Sequence, residues 1–290
     1  MANLGIFPFT NESDLAESNE DWVVQSGVVV DSLNGNDTIT SSGSVFSGIA
    51  NRGTINTGDG NDTITGSGVD DNGIDNFGTI NTGAGNDTIT GSGVDGNIGI
   101  VNDGTINTGA GNDSIIGTGI GTGIGTGIGN GTGIENGVTI DTGAGNDSIT
   151  GTGTFGIVSI GTIDTGAGND SITGAGTKID IVNFGTINTG AGNDTINALQ
   201  GGFAGDGTTN LGTGNDTLKG FGSGNFFGDT GKDKILFGAG EYEISGGIIT
   251  SGGIDMNVTG FESIGGANGG LFSFAVGTLT VDAGGVGTFA

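Results

Sequence analysis

An Asn-Asp pair returns throughout the middle of this chain, with its Asp at 37, 62, 87, 113, 147, 170, 194 and 216, at intervals of 25, 25, 26, 34, 23, 24 and 22 residues. Self-similarity at a fixed period of about 20–50 residues is the mark of a stacked repeat, in which one supersecondary unit buries its apolar face only against its neighbours. The apolar residues keep the same time. Ile55 and Ile64, Ile80 and Ile89, Ile106 and Ile115, Ile140 and Ile149, Ile163 and Ile172, and Ile187 and Ile196 are each nine apart. A third apolar position precedes each pair by six residues, at Ile49, Ile74, Ile100, Ile134, Ile157 and Ile181.

Each of these Ile sits in a short segment such as Thr79-Ile80-Asn81 or Thr88-Ile89-Thr90, with polar flanks and Gly-rich turns on either side. Period-two alternation puts Ile on one face and Thr or Asn on the other. A strand of three residues cannot offset the entropy of ordering itself. Stacked coils solve this by hydrogen-bonding each strand to its copies above and below, about 4.8 Å away. The chain therefore reads as all-β, a parallel β-helix of three-sided coils of about 25 residues. Ile fills its interior in columns. Asn51, Asn76, Asn102, Asn136 and Asn183 recur at one position, where stacked amides can hydrogen-bond along the column, and Ser159 replaces them once.

Two segments break the beat. Within the 34-residue interval a four-residue repeat runs from Ile116 to Ile128 and is expected to loop out or to add part of a wall. From Leu218 the apolar spacing becomes nine and then eight, through Phe227 and Ile235, so the coil is expected to shorten to two half-turns. The division expected is an acidic N-terminal cap over 1–30, the repeats over 31–237 and a Gly-rich C-terminal cap or signal over 238–290. Ser13 to Val24 is expected to form a capping turn of helix, with Trp22 covering the first coil.

Composition narrows the chemistry. With 70 Gly against one Pro, collagen and Pro-rich linkers are excluded. A formal charge of −27 would repel nucleic acid and anionic membrane surfaces, which makes cations the natural partners. The chain has no Cys and no His, so disulfides, zinc sites, thiol nucleophiles and imidazole acid–base chemistry are absent. One Tyr and five Lys or Arg leave little for an active site on the β-helix wall, and no enzymatic activity is expected. No apolar run approaches the roughly 20 residues that span a bilayer.

The repeated corner is T-G-A-G-N-D-[TS]-I, at 82–89, 108–115, 142–149, 165–172 and 189–196; Thr57 to Ile64 carries Asp59 in place of Ala, and Thr213 to Leu218 keeps the core. This motif resembles the calcium-binding nonapeptide G-G-x-G-x-D-x-U-x of the RTX, or hemolysin-type, family, with Thr at the first Gly position. Elementary chemistry leads the same way. Gly permits the tight corner and exposes carbonyls, Asp supplies a hard anionic oxygen, and stacking makes a column of carboxylates that needs cations. Calcium suits an all-oxygen donor set better than magnesium or zinc. The expected ligands are Asp37, Asp62, Asp87, Asp113, Asp147, Asp170, Asp194, Asp216 and Asp233. The expected carbonyl donors are those of Gly58, Gly60, Gly83, Gly85, Gly109, Gly111, Gly143, Gly145, Gly166, Gly168, Gly190 and Gly192. Several Ca2+ ions stacked between successive coils would then make binding and folding one process.

The resemblance further implies type I export with an uncleaved C-terminal signal, and folding outside the cell on meeting calcium. The N-terminal residues lack the basic and long apolar regions of a secretory leader, which fits that route. The expected function is a secreted calcium-binding structural protein of a surface layer, matrix or filament. Its partners would be calcium, further copies of itself in a head-to-tail fibre, or a cell-surface polysaccharide. The alternative is an ice-binding or adhesive β-helix that uses outward Thr pairs such as Thr63/Thr65 and Thr88/Thr90.

Overall fold

The computed structural model describes residues 2–3, 8–43, 45–95, 97–120 and 131–290. All of its regular elements are strands, stacked as a parallel β-solenoid. Each central coil contributes three: a T-I-T strand such as Thr63–Gly68, an I-x-N strand such as Ile74–Asn76 and a T-I-N strand such as Thr79–Asn81. Each pairs residue for residue with its copy in the next coil, as in Ile64 with Ile89, Ile74 with Ile100 and Ile80 with Ile106. The first two ladders merge into one 19-stranded sheet, because Ser148–Ser159 and Ser171–Asn183 run through both walls without a break. The third ladder is a separate 14-stranded sheet.

The alternation of the sequence becomes the inside and outside of the coil. Ile64, Ile74 and Ile80 and their equivalents are fully buried, whereas the Thr and Asn beside them are half-buried. Each buried Ile contributes about 1.5–3 kcal/mol of transfer free energy, so the stack is held by its length rather than by any one coil. Asn51, Asn76 and Asn102 pass a side-chain amide to Asn76, Asn102 and Asn136 respectively at 2.8–2.9 Å, and Asn136 passes its amide to the Ser159 hydroxyl.

The N-terminal segment differs from expectation: Leu15–Ser18 and Trp22–Val24 are strands, not a helical cap. They form a first coil in register with the next, Leu15 on Thr38 and Trp22 on Ile49, so Trp22 stands in an Ile column. The indole N–H donates to the Thr40 carbonyl at 2.9 Å, which lets a Trp take an Ile position without leaving a buried donor unpaired. The low-complexity segment 121–130 lies outside the described residues. On either side of it, Ser114–Gly119 and Thr132–Asn136 keep their places in the ladders.

Near the C-terminus the coil shortens as expected, but the inward residue is Phe226, in register with Thr209, and not Phe227, which is half-buried because side chains alternate along the strand. Only 17 residues separate Asp216 from Asp233, and this coil keeps Thr217–Lys219 and Gly224–Phe227 but has no I-x-N strand. Beyond it the topology changes: Gly240–Ser245, Ile248–Ser251 and Ile254–Thr259 form an antiparallel meander, and Gly277–Val281 pairs antiparallel with Gly287–Phe289. No helix among the described residues is long and apolar enough to cross a membrane.

Candidate metal-binding site

The corners carry the candidate site. Counting back by two from the inward Ile64 puts Asp62 on the interior side, and the structure places it there, 1% exposed. All nine expected Asp ligands are 0–2% exposed. Their proximity to one another comes from the corner glycines. Gly58 and Gly60 have φ of +91° and +146°, and the corners stack so closely that the Gly60 carbonyl oxygen lies 1.6 Å from where a Gly85 Cβ would sit.

The carboxylates form a one-way ladder. The backbone N–H of Asp62 donates to Oδ1 of Asp87, that of Asp87 to Asp113, and so on to Asp233, each at 2.7–2.8 Å. Asp37 donates to Asp62 in the same way at 2.8 Å. Outside the corner, Asn61, Asn86, Asn112 and their successors run a parallel ladder in the opposite sense, Asn86 N–H donating to Asn61 Oδ1 at 2.6 Å.

The second oxygen of each carboxylate has no such partner. Oδ2 of Asp37, Asp62, Asp87, Asp113, Asp147, Asp170, Asp194, Asp216 and Asp233 is buried without a hydrogen bond. The buried Thr at the first corner position is the nearest candidate donor. The Thr57 hydroxyl opposes the rise in the Asp62 pKa, but it also lies 3.2 Å from the Thr82 carbonyl, so its single proton serves one of the two acceptors at a time, and the other Thr repeat this pattern. Burial is the main influence on these carboxyls. It pushes Asp194 up to about 7 and Asp62, Asp147 and Asp216 up to about 6, against the backbone N–H bonds, and it raises Asp87, Asp113, Asp170 and Asp233 as well.

The magnitude of the charge problem decides what the column needs. Carboxylates about 4.8 Å apart repel by about 0.9 kcal/mol in water and about 3.5 kcal/mol at an effective dielectric of 20. Nine in a row have eight such neighbours, which at the higher figure exceeds the roughly 5–15 kcal/mol stability of a folded domain. A fully ionised column therefore requires counter-charge.

The expected carbonyl donors divide into two sets. Those of Gly58, Gly83, Gly109, Gly143, Gly166 and Gly190 each accept a backbone N–H from the next coil at 2.8–3.2 Å, as Ala84 donates to Gly58. Those of Gly60, Gly85, Gly111, Gly145, Gly168 and Gly192 face the α-carbon of the next corner glycine. Among the described residues no three carboxylates converge on one point, so a cation here would rely on one or two Asp together with backbone and hydroxyl oxygens. Such a set is all oxygen, and the orphaned Oδ2 atoms supply its anionic part, which fits calcium.

The ladder is longer at both ends than the motif. Asp14 donates its N–H to Asp37 Oδ1 at 2.8 Å, and Asp233 donates to Glu262 Oε2 at 2.6 Å. Neither end residue belongs to a Gly-Asn-Asp corner. The signal for Asp14 was its spacing of 23 from Asp37; that for Glu262 was the S-I after it, matching the [TS]-I that follows each Asp. No family model, curated protein or solved structure matches this chain.

Proposed function

We propose that this chain is a calcium-dependent structural protein whose coils close as cations neutralise the corner column. The observation that carries the reading is the set of nine buried Oδ2 atoms without a hydrogen-bond partner. An orphaned buried carboxylate oxygen is costly, and nine at equivalent positions call for a common ligand. Calcium would be held by the Asp37 to Asp233 carboxylates with corner carbonyls, and it would supply charge neutralisation and cross-links between coils. The chain's own part is to present the oxygens: Gly opens the corner, the preceding Asp N–H fixes Oδ1, and the Ile columns bring the coils into register.

The same reading makes the protein extracellular, exported without folding where calcium is scarce and folded where it is millimolar, in the manner of the hemolysin-type repeats its corners resemble. A role in a surface layer or matrix suits it better than catalysis or a head-to-tail fibre. The antiparallel C-terminal strands break the screw repeat that end-to-end stacking would continue. The ice-binding alternative gains nothing from the register, since Thr90 stands beside Ile116 and the outward Thr column is interrupted there.

The test is far-UV circular dichroism and light scattering as calcium is titrated into chelator-treated protein. A coil-to-β transition with calcium and not with magnesium supports the reading, and scattering that rises with it supports assembly. A fully folded chain in chelator at neutral pH, unaffected by calcium, would sink it.

A further inference from the structure

On the outer side of the I-x-N wall one column of side chains has no part in the corner chemistry. Arg52, Phe77, Asp103, Gly137, Ile160 and Phe184 each follow a residue of the inner amide ladder, and those ladder residues pair in register from coil to coil. At one end of the column the Arg52 guanidinium carbon lies 5.5 Å from the centre of the Phe77 ring. The same guanidinium offsets part of the burial that raises the Asp75 carboxyl. Here a cation of the chain lies beside both a ring and an acid.

Further along, the same ingredients recur without a cation. A cleft of about 190 Å3 is lined by the acidic Asp103 and Glu135 together with the apolar Val158, Ile160 and Phe184. Gly137 makes the opening. A Cβ there would lie 2.3 Å from Asp103 Oδ1, so the missing side chain is what lets that carboxylate lean in beside Glu135. Ile160 and Phe184 are 66% and 51% exposed, and none of the chain's five Lys and Arg lines the cleft. Half-burial raises the Glu135 carboxyl, and Asp103 raises it further.

We propose that this cleft docks one arginine side chain presented by a basic protein segment, with its guanidinium between Asp103 and Glu135 and its stem along Val158, Ile160 and Phe184. The volume lies below the roughly 300–1,000 Å3 of a small-molecule pocket and suits a single side chain. Arginine fits better than lysine because its planar fork pairs with carboxylates and stacks on aromatic faces. The formal charge of −27 would steer a basic partner toward the surface, and the cleft would fix where it lands.

The test uses the full chain in calcium buffer, with Ile methyl and Phe ring resonances followed during titration with the peptide acetyl-Gly-Arg-Gly-amide. Saturable shifts at Ile160 and Phe184 are expected. They should weaken about tenfold when citrulline replaces arginine and in Glu135→Gln, the loss of one charge-assisted contact. Phe184→Ala should weaken binding too. Gly137→Ala should do so by displacing the Asp103 carboxylate, while the unaltered resonances of distant Ile report an intact fold. Equal shifts with citrulline, or shifts spread over the acidic surface and unchanged in Glu135→Gln, would overturn the proposal.

Discussion

The backbone N–H of Asp194 donates to Oδ1 of Asp216, 2.7 Å away in the next coil. A backbone donor is thus satisfied by a carboxylate rather than a carbonyl, at the cost of burying an ionisable group whose other oxygen has no partner. Proton and cation are the two species that can settle that oxygen, and they compete for it.

In chelator, the fold should therefore be strongest in acid. Asp62, Asp147 and Asp216 titrate at about 6 and Asp194 at about 7 in the fold, against about 3.9 for Asp in an unfolded chain. Because the folded pKa is the higher, the contribution to stability is complete below about pH 4 and is lost as pH rises through 6 to 7. Circular dichroism in EDTA should show β-structure growing from pH 8 to pH 4. Calcium affinity should fall over the same range as protons take the oxygens. Stability in EDTA that rises with pH would contradict both expectations.

Asp147→Asn should change sign with conditions. The amide oxygen can still accept the Asp113 N–H, now made to Oδ1 of Asp147 at 2.8 Å, while the charge is gone. In chelator at neutral pH the variant should be more stable than the parent, and in calcium less stable by about 1–3 kcal/mol. Paired thermal melts in EDTA and in calcium check this; a change of the same sign in both would not fit.

Gly85→Ala should be among the most damaging single changes. Its φ is +142°, and the added Cβ would lie 1.6 Å from the backbone oxygen of Gly60, which has no room to yield. A loss above about 4 kcal/mol is expected, with the corner prised open. Gly252→Ala is the control. Its φ is +58° but nothing lies within 4 Å, so the cost should be near the ordinary 1 kcal/mol of a left-handed residue. Urea denaturation of the two variants in calcium separates crowding from backbone strain.

Asn102→Ala should cost about 2–3 kcal/mol, because it removes the acceptor of the Asn76 amide and two bonds of its own, to Asn136 and the Thr139 carbonyl. Asn102→Ser should cost less, since Ser159 already receives the Asn136 amide one coil further on. Denaturation midpoints give the order.

Much of this was legible because the side-chain period of a strand is two and the coil period is nearly fixed. Ile55 and Ile64 announced two walls, Ile49 the third, and Asp62 lies inward by the same count that buries Ile64. The first coil was hidden because Trp22 stands where other coils have Ile and Asn11-Glu12-Ser13-Asp14 replaces the glycine corner. The C-terminal meander was not readable from the repeat, since its pairing is antiparallel and its strands follow turns such as Gly246-Gly247 and Gly252-Gly253, not the Asn-Asp beat. What no spacing could reveal was the direction of the carboxylate bonds.

That direction has a consequence for how such a chain grows over evolutionary time. Every coil borrows an acceptor from its successor and lends one to its predecessor, so a whole coil can be duplicated or deleted and the join heals itself. At the ends the pattern changes: the Asp14 carboxylate accepts from the nearby Thr10 rather than from a preceding coil, and the Glu262 N–H donates to the Asp233 carbonyl rather than to a further carboxylate, so the length between these two residues is free to vary.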